Sequence, residues 1–140
     1  MKYLLALALF SCTTSVQAEV DVATLYDVLT AESTKRIGVS DEGHVVIAIR
    51  TRDGAHVSDE APLKIDLTSS KLKLTKSTVV LADSVSSAES KSQAGPKFDI
   101  PFRANATGKA TVEVKMSFFI CTEKLCAKQA KTLSIPVEVI

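Results

Sequence analysis

Apolar and polar residues alternate along most of the chain, in short runs that end at turn-forming residues. Val45, Ile47 and Ile49, for example, share one face of a run that stops at Asp53-Gly54. A period of two residues is typical of strands with one buried face. The pattern predicts strands at residues 44–52, 63–67, 72–74, 79–82, 98–102, 109–120 and 131–139.

About seven short strands with turn signals between them, and no long amphipathic helix, predict an all-β fold, an immunoglobulin-like antiparallel β-sandwich. The segment Val20–Leu29 fits either a first strand or a short helix. Pro101 predicts an edge position or a bulge for its strand, because proline cannot donate to a ladder. Residues 83–95 are Ser-rich and predict a long loop, either a functional flap or an insertion.

The first 18 residues have the pattern of a secretory signal peptide. Lys2 is followed by an apolar block and by Val16-Gln17-Ala18, which predicts cleavage after Ala18 and a mature domain at residues 19–140. The block is too short to span a bilayer. A less favoured alternative is a lipoprotein signal with Cys12 as the lipidated residue. Both predict an exported protein without a membrane span, and the brevity of the signal favours a bacterial periplasm.

Charge and composition exclude several classes of function. The chain has 17 Lys and Arg against 16 Asp and Glu, and removing Lys2 with the signal leaves a formally neutral domain. A neutral domain without a basic run gives no reason to expect nucleic acid as a partner. No glycine-rich phosphate loop or G-x-S-x-G nucleophile motif is present. We therefore predict no cofactor.

Cleavage after Ala18 leaves two cysteines, Cys121 and Cys126, in an oxidising compartment, where such a pair is expected to form a disulfide. The four residues between them are a normal hairpin connection between the two best-defined strands. A loop of about six residues stabilises a domain by only about 2 kcal/mol. Stability alone therefore explains the pair poorly.

Two interpretations of the cysteine pair stay open on spacing alone. The disulfide either braces the hairpin at the rim of the sandwich or exchanges with other thiols. Alternation puts Phe119 and Cys121 on the outward face, where a flap or a partner protein could cover both. Lys124 and Lys128 stand nearby and favour a thiolate, with Cys126 the preferred point of attack.

A zinc site made of Cys121, Cys126, His44 and His56 is disfavoured, because the histidines are eleven residues apart and oxidation competes for the thiols. His56 follows the Asp53-Gly54 turn and is interpreted as a loop residue. We therefore predict no metal site.

The C-terminal hairpin resembles a known family. A strand, Cys121, a short charged connection, Cys126 and the closing segment Lys131–Val137 are similar to the N-terminal periplasmic domain of the thiol:disulfide interchange protein DsbD. The resemblance extends back through Phe98–Phe102 and Thr111–Val114, and more weakly through Val45–Val57. It implies an immunoglobulin-like domain whose redox pair is Cys121 and Cys126.

The resemblance also implies partners. In that family the paired cysteines take electrons from a membrane-embedded thiol transporter domain and pass them to periplasmic thioredoxin-like proteins. The leading hypothesis is thus a periplasmic thiol-disulfide exchange domain whose donor and acceptor are other proteins. The alternative is a non-enzymatic β-sandwich that binds or scaffolds another envelope protein, with a purely structural disulfide.

Overall fold

The computed structural model describes residues 21–85 and 95–140, so the predicted signal peptide, Cys12 and most of the predicted Ser-rich loop lie outside the described residues. A 3-10 turn at Val22–Leu25 precedes the first strand, which shows that the ambiguous segment contains both a helical turn and a strand. The strands are β1 Tyr26–Leu29, β2 Arg36–Ile37, β3 Glu42–Thr51, β4 His56–Val57, β5 Lys64–Thr68, β6 Leu72–Leu74, β7 Thr78–Val80, β8 Lys97–Ala104, β9 Gly108–Cys121 and β10 Cys126–Val139.

The strands form two sheets that pack face to face. One has the order β1-β3-β8-β6, and the other has the order β2-β10-β9-β5-β7, with β4 pairing with β9 beyond the end of β5. Buried side chains from both sheets belong to one hydrophobic core. The predicted all-β sandwich is therefore confirmed. Within the described ranges, no helix is long and apolar enough to cross a membrane.

The strand order follows the immunoglobulin scheme in its centre and departs from it at the edges. β1, β3 and β8 face β10, β9 and β5, as the first, second and fifth strands face the last, sixth and third in that fold. However, after β5 the chain first crosses to the other sheet, where β6 pairs with β8, and only then returns to pair β7 with β5. The usual order is the reverse, with the strand beside the third strand coming before the strand beside the fifth. β2 pairs with β10 in parallel, so the second sheet is mixed rather than purely antiparallel.

The core is built from the alternating residues that the sequence predicts. Phe98, Phe102 and Phe118 are fully buried between the sheets, together with the inward aliphatic residues of β3, β5 and β9. Complete burial of a Phe, Leu or Ile side chain contributes about 1.5–3 kcal/mol. Hydrophobic burial at these positions thus fixes which face of each strand points inward.

Tyr26 closes one side of the sandwich, where β1 comes close to β10. Its ring is 3% exposed and meets the ring of Phe118 edge-on, with the centroids 5.2 Å apart. The phenol donates a hydrogen bond to Gln129 Oε1 at 3.0 Å, and Lys131 Nζ lies 5.5 Å from the ring centroid. Tyr26 therefore ties the edge of one sheet to the edge of the other.

Pro101 occupies a position that the sequence did not predict. Its strand, β8, is an inner strand between β3 and β6 rather than an edge strand. The carbonyl of Pro101 accepts from Thr75 N at 3.0 Å, so the proline nitrogen also points toward the β6 side. Because β6 ends at Leu74, the missing N–H costs no ladder bond there.

Adjacent phenylalanines on β9 test the assigned faces. Phe118 is fully buried in the core, whereas Phe119 is half-buried on the outer face. Replacing Phe118 by Ala should lower the free energy of unfolding by about 3–5 kcal/mol. The matched Phe119→Ala variant should lose about 1 kcal/mol or less. Urea denaturation of both variants measures the difference, and equal losses would contradict the assigned register.

Candidate functional site

The β9–β10 hairpin brings the two cysteines together. The strands pair from Gly108↔Val139 to Cys121↔Cys126, so the cysteines face each other directly at the mouth of the hairpin. Their Cα atoms are 4.0 Å apart and a disulfide joins them. The predicted pairing and its place at a hairpin rim are both confirmed.

Local hydrogen bonds shape the connection between the cysteines. Thr122 N donates to the carbonyl of Leu125 at 2.7 Å, which closes a tight turn around Glu123 and Lys124. The hydroxyl oxygen of Thr122 accepts from the amides of Lys124 and Leu125, both at 3.3 Å. Threonine stabilises turns in this way by offering its side chain to nearby amides. The turn thus holds the two strand ends in a fixed register.

The two halves of the disulfide differ in exposure. Cys121 is only 4% exposed, whereas Cys126 is exposed on the outer strand. Leu125 beside it is 46% exposed. Cys121 lies on the outward face of β9, as alternation predicts, and its low exposure means that other residues of the domain cover it there. Cys126 is therefore the more accessible residue of the disulfide.

His56 lies beside Cys121, which the sequence interpretation missed. His56 belongs to β4 rather than to a loop, and β4 pairs with the end of β9 so that His56 is directly opposite Cys121. Residues directly opposite each other share a face, so a row of three side chains crosses the sheet: His56, Cys121 and Cys126. The Gly-x-His turn at residues 54–56 was the available signal. It could not show which strand His56 would join.

The two lysines predicted near the pair occupy different positions. Lys128 is two residues from Cys126 on the same exposed face of β10, opposite Phe119 in the register. Lys124 is exposed in the turn. Both contribute positive charge close to the exposed sulfur. A nearby cation stabilises a thiolate, which is the reactive form in exchange reactions.

A cleft of about 670 Å³ opens beside the turn, at the end of the sandwich. Its lining includes Thr122 and Glu123 from the turn and His56 and Val57 from β4. Leu81 and Pro96 also line it. The cleft is lined by apolar and hydrogen-bonding groups, and of these Thr122 and Glu123 lie within two residues of Cys121.

The residues weighed for a zinc site do not converge. His44 lies on β3 in the other sheet, where its Nδ1 is 2.7 Å from Asp99 Oδ1. His56 and the cysteines lie at the end of the second sheet, and the cysteines are oxidised. Within residues 21–85 and 95–140, no group of three or more His, Cys, Asp and Glu residues could hold a metal ion.

Comparison with known proteins identifies the fold but no family. No protein-family model matches the chain. No curated protein matches it either. Among solved structures, the chain is similar to a lipoprotein from Bacteroides thetaiotaomicron, with a TM-score of 0.51 and 13% identity over 92% of this chain and 88% of that one.

A conjugative transposon lipoprotein from Bacteroides eggerthii is a more distant neighbour, with a TM-score of 0.44 and 9% identity over 80% of this chain and 95% of that one. Its TM-score is below 0.5, so this second similarity supports no conclusion. The first similarity, at 13% identity, shows the fold alone. The chain is thus an all-β sandwich domain with a cross-strand disulfide at its rim.

The unequal exposure of the cysteines predicts unequal reactivity. After reduction, iodoacetamide should alkylate Cys126 well before Cys121, because only Cys126 is open to solvent. Mass spectrometry of peptides taken at increasing times measures the order. Reduction itself should lower the free energy of unfolding by about 2 kcal/mol, so the fold persists during the reaction. Simultaneous alkylation of both residues in folded protein would contradict this prediction.

Proposed function

We propose that this protein is a thiol-disulfide exchange domain that passes electrons through Cys121 and Cys126. One observation carries the proposal: a disulfide closes a tight hairpin turn, and it joins an exposed cysteine to a buried cysteine that lies opposite a histidine. A bond that closes so small a loop adds only about 2 kcal/mol of stability. Its asymmetric exposure favours attack at a single sulfur.

The proposed reaction begins with a thiolate of a reduced partner. It attacks Sγ of Cys126, the Cys121–Cys126 bond breaks, and Cys121 leaves as a thiolate. The partner's second thiolate then attacks the partner sulfur that is bonded to Cys126. A disulfide forms within the partner, and Cys126 is released as a thiolate. Two electrons thereby pass to the domain, and the partner becomes oxidised. The reverse sequence, in which Cys126 attacks and Cys121 resolves, reduces a downstream disulfide.

The neighbours of the cysteines support these roles. The leaving Cys121 thiolate forms in a buried position, where an uncompensated charge is costly. His56 is its direct cross-strand neighbour and places an imidazole on the same face of the sheet. Lys128 on the same face as Cys126 favours the thiolate of the attacking residue in the reverse direction.

The resemblance to the DsbD N-terminal domain supports the assignment of partners. On that basis the electron donor is a membrane thiol transporter and the acceptors are periplasmic thioredoxin-like proteins. The signal-like sequence at residues 1–18 supports export to the periplasm, with lipidation at Cys12 as the alternative.

A second candidate function rests on the burial of Cys121. A disulfide with one inaccessible sulfur also suits a structural brace in a non-enzymatic binding or scaffold protein. In that case the hairpin would keep its shape for a partner that never touches the sulfurs. The two candidates differ in the chemistry of the bond, which can be measured directly.

The reduction potential and trapped intermediates test the proposal. The potential of the pair should lie above about −300 mV, because structural disulfides lie below that value. Cys121→Ser leaves the exposed Cys126 as a lone nucleophile and should trap mixed disulfides with envelope proteins. The matched Cys126→Ser variant leaves only the buried thiol and should trap far fewer. A potential well below −300 mV with no adduct in either variant would establish a structural bond.

A further inference from the structure

One side of β10 is open over most of its length. On its inner side β10 pairs with β9 from Cys126 to Val139. On its outer side, among the described residues, only β2 pairs with it, at Glu138 and Val139. The stretch from residue 126 to residue 134 is thus an edge strand, which we call the 126–134 edge.

The backbone direction along this edge follows from the hydrogen bonds at its two ends. Thr122 N donates to the carbonyl of Leu125. The backbone groups of Leu125, and of every second residue after it, therefore point toward β9. At the other end Glu138 N donates away from β9, to the carbonyl of Lys35. The even-numbered residues therefore point their N–H and C=O groups outward. They are Cys126, Lys128, Ala130, Thr132 and Ser134.

Pro136 marks the end of the open stretch. It is the next residue of the outward series, so the N–H that proline lacks would have pointed to the outer side. The ladder with β9 is therefore intact. It also shows that β10 tolerates proline at an outward position. Beyond it, β2 covers the strand.

The other edges are short by comparison. Among the described strands, β1 has four residues, β6 and β7 three each, and β2 two. Short edge strands give an added strand few backbone groups to pair with. The 126–134 edge is longer than any of these strands, so in the described part of the chain it is the better template for strand addition.

Positive charge lines this edge. Lys128 projects from its exposed outer face, and Lys131 lies on the opposite face beside the Tyr26 ring. Lys124 stands in the adjoining turn. Lysines on an edge strand disfavour pairing with an identical copy, since like charges are brought together. The same lysines attract a strand with acidic side chains.

Two acidic groups lie at the margins of the edge, and a third lies nearer to its middle. Glu123 is in the turn, and Glu113 on β9 accepts a hydrogen bond from the Ser134 hydroxyl at 2.8 Å. Asp21 lies near Tyr26, where burial and then this carboxylate raise the pKa of the phenol. Of the residues in the middle of the edge itself, from Lys128 to Lys131, the two charged ones are both basic.

Gln129 leaves most of the outward backbone groups available. Its Nε2 donates to the carbonyl of Lys128 at 3.0 Å, and its Oε1 accepts from Tyr26. A carbonyl oxygen can accept two hydrogen bonds, so Lys128 can also accept one from an added strand. The edge is thus ready to pair without rearrangement of β10.

We propose that the 126–134 edge binds an extended segment of a partner protein by strand addition, and that acidic side chains at alternate positions of that segment select it. The backbone ladder supplies affinity, and Lys128, Lys131 and Lys124 supply the preference for acidic residues. The site starts at Cys126 but does not depend on the redox chemistry of the disulfide, so it stands independently of the proposed function.

Amide hydrogen exchange tests whether the edge is open. In the free protein, the amides of Lys128, Ala130, Thr132 and Ser134 should exchange rapidly, whereas those of the odd-numbered residues between them should be protected by β9. Strong protection of the even-numbered amides in the free protein would overturn the proposal, because it would show that the edge is already paired.

Peptide binding tests the chemistry of the partner. The probe is a seven-residue peptide that alternates Glu and Thr, and its control alternates Lys and Thr. The acidic peptide should bind at least about tenfold more tightly, protect the even-numbered amides and weaken as salt is raised. Equal binding of the two peptides, or protection elsewhere in the domain, would overturn the proposal.

Two substitutions locate the binding to the edge. Thr132→Pro removes one outward N–H and places a ring on the edge, and it should weaken acidic-peptide binding about tenfold. Thr132→Val keeps the N–H and the branched side chain and should bind normally. Lys128→Glu should reduce the preference for the acidic over the basic peptide about tenfold. Circular dichroism confirms that each variant is folded.

The oligomeric state provides a further check. Sedimentation should find a monomer at concentrations where the acidic peptide binds, because the lysines oppose pairing of two copies. A dimer whose interface protects the even-numbered amides would overturn the proposal and make the edge a self-association surface. Normal binding of the acidic peptide by the Thr132→Pro variant would also overturn the proposal.

Discussion

The antiparallel ladder between β9 and β10 is the interaction on which the rest of this domain depends. It joins two strands of 14 residues each, and β9 also pairs with β4 and β5 on its other side. Because side chains alternate along a strand, fixing this register fixes which residues enter the core and which face outward. Phe118 points inward between the sheets, and Cys121 reaches the rim directly opposite Cys126.

The disulfide therefore forms where the backbone has already brought the cysteines together. Its contribution to stability is small beside that of the buried aromatic and aliphatic residues. What distinguishes the site is its surroundings: an exposed sulfur on β10, a buried sulfur on β9, and a histidine on β4. The chemistry of the pair depends on these neighbours rather than on the hairpin alone.

The sequence predicted the strands whose apolar residues alternate clearly, including β3, β5, β8 and β9. It missed the two-residue strands β2 and β4 and the first five residues of β10. Residues 126–130 are small or polar, without a large apolar side chain, so their alternation carries little signal. That segment becomes a strand because β9 pairs with it, which is a non-local cause. β2 pairs in parallel because the chain crosses from one sheet to the other after β1.

By itself the sequence determined the all-β class, the inward faces of the main strands and the placement of both cysteines on one hairpin. These properties follow from period-two alternation and from a spacing of a few residues, both of which are local. Only the tertiary structure decided that His56 neighbours Cys121, that Cys126 is the exposed half of the bond, and that the outer side of β10 stays open. Each of these depends on which distant strand lies beside β9 or β10, and residues far apart in the chain settle that through the packing of one shared core.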